Sequence, residues 1–137
     1  IIIQPTIHKG YVILTRAWKA GDEIALTFDL SIQIVHAHPN VKENVNKVAL
    51  QRGPLVYCLE EIDNVSIDQV FISDYTRYQA VFEPELLEGV VAIYASGKQA
   101  TDSFVAVPYY AWGNREKGKM RVWLQELNNE TALYEIR

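Results

Sequence analysis

Apolar and polar residues alternate along much of the chain with a period of two. From Ile24 the apolar side chains are Ile24, Leu26, Phe28, Leu30, Ile32 and Ile34, which predicts one long strand, or two joined by a bend near Ser31. Before it, the β-branched and aromatic run Tyr11-Val-Ile-Leu-Thr-Arg16 predicts a strand, and Ala17-Trp-Lys-Ala-Gly-Asp22 supplies the turn between the two. After Pro39-Asn40, Lys47-Val-Ala-Leu-Gln51 and Pro54-Leu-Val-Tyr-Cys-Leu-Glu60 predict two strands around a sharp bend at Arg52-Gly53-Pro54.

Further strands are expected over 69–72, 77–82, 90–96, 104–110, 119–125 and 133–136. The only helical candidate is Glu83-Pro-Glu-Leu-Leu-Glu-Gly89, with Pro84 suited to a first turn and Gly89 to its end. Many short strands without long helices between them predict an all-β fold with little helix, an antiparallel β-sandwich of jelly-roll type.

The length of 137 residues suits one ordinary domain, and a hydrophobic fraction of 49% with 22% charged residues can supply a core. The net charge of −4, with no basic stripe, argues against a nucleic-acid partner. No apolar run approaches the roughly 20 residues of a membrane-spanning helix. The single cysteine, Cys58, precludes an intrachain disulfide and leaves the compartment open. A start at Ile-Ile-Ile-Gln-Pro, without Met, suggests a segment of something longer.

Candidate chemistry is sparse. His36-Ala-His38 puts two imidazoles on one strand face, and with Glu43 it partly imitates the ligand pattern of a cupin-like metal-dependent enzyme. Pro39-Asn40 interrupts that strand, and no later His completes a ligand set. Cys58 lies within the apolar run Tyr57-Cys-Leu59, a setting for a buried structural thiol rather than a nucleophile. Glu60, Glu61 and Asp63 supply paired carboxylates of the kind glycoside hydrolysis needs, but they also suit a solvated strand end running into a turn. Tyr109, Tyr110 and Trp112, with Trp18, Tyr75, Tyr78 and Trp123, offer π surfaces for sugar rings; core packing competes for the same residues.

Three stretches combine into a resemblance: Gly10-Tyr11 through Arg16-x-Trp18-x-x-Gly21-Asp22, Val48-Ala-Leu-Gln-Arg-Gly-Pro-Leu-Val-Tyr-Cys-Leu-Glu60 with Asp63-Asn64, and Val107-Pro-Tyr-Tyr-Ala-Trp-Gly-Asn-Arg115 followed by 120–124. In this order they resemble the carboxy-terminal part of the β-L-arabinofuranosidase glycoside hydrolases, family 127 and its relatives. The resemblance implies a parent with an α/α-barrel catalytic domain, a cysteine nucleophile and a zinc ion, followed by β-sandwich domains. The catalytic and zinc residues would lie in the barrel, so none is carried onto this chain and no cofactor is expected in it. Residues 1–38 are expected to be the last strands of a preceding sandwich, and 39–137 the main one.

Three functions follow as expectations. The first is a non-catalytic accessory domain packing on the barrel of the same polypeptide, with Arg52, Trp112 and Arg115 in turns or loops as interface candidates. The second is a module binding carbohydrate weakly through Tyr109, Tyr110 and Trp112, with Trp18 a further sugar-facing candidate. The third is the metalloenzyme at His36, His38 and Glu43. An unpaired apolar edge at 24–34 would also favour a homodimer by strand pairing.

Overall fold

The computed structural model describes residues 5–127. Strands β1 (Thr6–His8) and β2 (Tyr11–Ile13) form a small antiparallel hairpin. Lys9 and Gly10, both at positive φ (50° and 82°), make the two-residue turn that suits the twist of such a pair. The partner of β2 is therefore the preceding segment, whereas the alternation pointed to the following one.

All other strands join one mixed sheet of nine: β3 (Ile32–His36), β4 (Lys47–Arg52), β5 (Leu55–Glu60), β6 (Phe71–Ser73), β7 (Arg77–Glu83), β8 (Val90–Ser96), β9 (Phe104–Pro108), β10 (Met120–Arg121) and β11 (Leu124–Leu127). Along the main path the order is β6-β11-β4-β5-β9-β8-β7, with β3 also on β4 and β10 also on β5. Every pairing is antiparallel except β11 with β6, so the sheet is not purely antiparallel. The pairing of β3 with β4 ties 32–36 to the main sheet. The expected strand at 133–136 lies outside the described residues.

β4 and β5 are the centre. Val48, Ala49 and Leu50 are buried, as are Tyr57, Cys58, Leu59 and Glu60, so both faces of these strands are covered. Their hairpin closes at Arg52↔Leu55 through Gly53-Pro54. Gly53 has φ +57°, and a Cβ there would fall 2.5 Å from Leu30 Cδ2. One cluster containing Val48, Leu50, Tyr57, Leu59, Ile93, Phe104 and Leu124 draws strands from both halves of the sheet into a common core.

Two local expectations fail. Residues 24–30 form no strand: Ile24, Leu26, Phe28 and Leu30 are 58%, 68%, 72% and 42% exposed. Alternation makes a strand only when a neighbour offers a ladder of hydrogen bonds, and among the described residues none pairs with this stretch. The helix over 83–89 is also absent. Glu83 closes β7 opposite Val90, so the chain must reverse within 84–89, and it does so with Leu87, Glu88 and Gly89 at positive φ. The β7–β8 pairing overrides a short helix's weak propensity.

Candidate functional site

The segment carrying Tyr109, Tyr110 and Trp112 follows β9 as a single 3₁₀ turn, Tyr109–Ala111. A buried ionic clip holds it to the end of β5. Glu60 Oε1 accepts the Gly113 N–H at 2.7 Å, and Glu60 Oε2 accepts Arg115 Nη2 at 2.5 Å. Arg115 Nη1 also donates to Asp63 Oδ1 at 2.7 Å, and Nη2 to Asp63 Oδ2. Hydrogen bonding to Asp63 and then to Glu60, against the cost of burial, raises the guanidinium pKa further.

Asn64 stitches the same corner. Its Nδ2 donates to the carbonyls of Glu60 (2.8 Å) and Val105 (2.9 Å), while its Oδ1 accepts the Val105 N–H (2.8 Å).

This corrects one expectation: Glu60 is not on a solvated strand end but is buried, 5% exposed. Arg115, a candidate for an interdomain or sugar-facing role, is 19% exposed at the side chain and bound to Glu60 and Asp63. The period-two alternation gave no warning, because the partners are more than fifty residues apart.

Tyr109, Tyr110 and Trp112 are 46%, 63% and 41% exposed; Tyr109 and Tyr110, neighbours in the 3₁₀ turn, diverge by about 120°, and Trp112 follows the turn in extended backbone. Tyr110 borders a cleft with 87–90, Ala111 and Asn114. Trp18 lies in the 17–22 turn, where the Arg16 guanidinium stacks 5.0 Å from its ring and pairs with Asp22 at 3.0 Å. Tyr78 packs against the core, and burial pushes its pKa up to about 12.

Arg52 sits at the hairpin end of the core. It lines a cleft of about 510 Å³ with Phe28, Asp29, Leu30, Pro54 and Leu55. Its guanidinium stands against the Tyr57 hydroxyl, which donates to the Val91 carbonyl at 2.9 Å; burial raises the Tyr57 pKa and Arg52 partly offsets the rise. Phe28, Leu30 and Tyr57 were not singled out from the sequence as part of a site. The available clue was the register Val48, Leu50, Arg52, which sets an arginine on a core-facing alternation.

The metal-type residues are engaged elsewhere. His36 Nε2 pairs with Glu126 at 3.0 Å and His38 Nδ1 accepts the Asn40 N–H at 3.2 Å; at Glu43 it is the backbone carbonyl, not the carboxylate, that accepts Lys47 Nζ at 2.8 Å. Cys58 is buried, and desolvation, then Glu60, pushes its thiol up to about 12. Among the described residues no three His, Cys, Asp or Glu side chains gather to hold a metal. Zinc sites need three or four convergent ligands, so the described residues do not fit the cupin-like pattern.

The model of the glycoside hydrolase family 127 C-terminal domain matches residues 32–125, and the chain belongs to that family.

The non-reducing end β-L-arabinofuranosidase of Bifidobacterium longum subsp. longum is 34% identical over 149 residues, covering 86% of this chain and 22% of that enzyme. Among solved structures, Ara127N-Se, a GH127 β-L-arabinofuranosidase from Geobacillus stearothermophilus T6, is 40% identical with a TM-score of 0.64, over 72% of this chain and 18% of that one. The GH127 β-arabinofuranosidase BT3674 is 30% identical with a TM-score of 0.79, over 91% of this chain and 22% of that one. The chain thus spans about a fifth of the length of these relatives and corresponds to their C-terminal domain.

Proposed function

We propose that this domain is a non-catalytic accessory part of a β-L-arabinofuranosidase-like glycoside hydrolase, packing on the catalytic barrel of the same polypeptide, where the nucleophile and the zinc would reside. The observation that carries this reading is the apolar series Ile24, Leu26, Phe28 and Leu30, all exposed within one short stretch. So many exposed apolar side chains in one short stretch point to a contact with other protein.

The test compares the full-length polypeptide, the same polypeptide lacking this domain, and the domain alone on an aryl β-L-arabinofuranoside. The expected result is hydrolysis by the full-length protein, none by the domain alone, and a lowered melting temperature or turnover on deletion. Hydrolysis by the domain alone would overturn the reading, as would a deletion that leaves both properties unchanged.

A further inference from the structure

Core-facing side chains on β4 fall on alternate residues, and Val48 and Leu50 are almost fully buried. Arg52 is next in that register. Its cross-strand neighbours, Ile32 and Leu55, are apolar and pack against the core, and directly opposed residues share a face. The guanidinium therefore stands where the core meets the surface, and a charge in such a place is costly unless an opposite charge meets it.

Within the described residues that charge is not met. Arg52 makes no ion pair there, and its Nε is buried without a hydrogen-bond partner. The Tyr57 hydroxyl beside it is neutral. Asp29 borders the same cleft, but its oxygens take the Ser31 N–H at 2.9 Å and the Ser31 hydroxyl at 3.3 Å. Apart from Asp29 and Gly53, the residues lining the cleft with Arg52 are apolar: Phe28, Leu30, Pro54 and Leu55.

We infer that this end of the sheet docks a segment of the catalytic part of the polypeptide that carries a carboxylate between apolar residues. Arg52 receives the carboxylate, and Phe28 and Leu30 cover its flanks. The inference rests on the accessory-domain reading above. Charge complementarity selects this occupant: the planar guanidinium fork matches a carboxylate. A second copy docked two-fold at the same end would bring another Arg52 against the first.

Hydrogen–deuterium exchange on the full-length polypeptide tests it, comparing R52M, R52K and the rim variant F28D/L30D. The expected result is exchange at least tenfold faster, in R52M and in F28D/L30D alike, around the 52–55 hairpin and in one catalytic-part segment containing an Asp or Glu. R52K, which keeps the charge and loses the fork, should lie between R52M and the parent. If F28D/L30D opens a catalytic-part segment and R52M does not, the carboxylate anchor is wrong and the accessory reading stands. If neither variant alters exchange outside this domain, the docking end is wrong, and the deletion experiment separately decides whether the domain is an accessory one. If E130Q or E135Q reproduces R52M, the carboxylate comes from this chain and the inference is overturned.

Discussion

Arg115→Met tests the buried clip most directly. It leaves the carboxylates of Glu60 and Asp63, 6% and 20% exposed at the side chain, facing each other without their cation. Breaking a buried ion pair from one side costs about 3–5 kcal/mol. Glu60 keeps the Gly113 N–H and Asp63 keeps some solvent, so the low end applies, about 3 kcal/mol. An unfolding entropy of about 2.1 cal/mol/K per residue over the chain turns this into a melting point lower by about 10 °C.

Urea titration followed by circular dichroism measures the free energy, and the fluorescence of Trp112, with Trp18 and Trp123 replaced by Phe, reports whether the 109–115 segment loosens with it. Adding Glu60→Gln and Asp63→Asn to Arg115→Met removes the stranded charges and should return at least about 1 kcal/mol. Salt should change the loss little, because a buried pair is weakly screened. A loss below about 1 kcal/mol for Arg115→Met, typical of surface pairs, would refute the reasoning.

Three further outcomes are expected. Asn64→Ala strands the N–H and carbonyl of Val105, while the Glu60 carbonyl keeps the Asp63 N–H at 3.2 Å, and should cost about 2–4 kcal/mol in the same titration. Gly97→Ala would set a Cβ 1.9 Å from Asp102 Oδ2, and the Asp102 carboxylate caps the N–H groups of Lys98 and Gln99 at 2.8 and 2.7 Å; calorimetry should show a loss of at least about 2 kcal/mol. The Cys58 thiol should resist maleimide labelling near neutral pH until denaturant is added. Because its pKa rises from 9.0 to about 12 in the fold, the native state holds the proton longer, so its contribution is intact below pH 9 and is lost as pH climbs towards 12, readable as a falling urea midpoint.

The sheet's strands were legible where apolar residues alternate or run continuously between turn residues. β4, β5, β7 and β8 lie within a residue or two of their expected places. Gly53-Pro54 was legible as a bend because few other residues suit a two-residue hairpin turn.

Residues 24–30 misled because alternation records which side chains want cover, not which backbone supplies a partner. The Glu60–Asp63–Arg115 clip was hidden for a different reason: charged residues read as solvated unless their distant partners are known, and Arg115 comes from a loop with no periodicity. Arg52 was recognised as an interface candidate from its turn, but its isolation on a core-facing register needed the strand pairings to be seen. The aromatic trio was found by composition, whereas the 3₁₀ turn that sets Tyr109 and Tyr110 apart left no period-two record.

The position of β11 bears on how the domain is made. The last described strand lies between β4 and β6, antiparallel to one and parallel to the other, with Glu126 N–H also bonded to the Asn46 carbonyl at 2.9 Å. A nascent chain emerging from the ribosome therefore carries β4 and β6 with a vacant slot between them until residue 127 has been synthesised. Non-local closure of this kind is slow, and bare strand edges invite association while it waits. A premature stop near residue 120 would thus leave more than a shortened tail: it would remove the keystone of the sheet and yield a product fit mainly for chaperones and proteases.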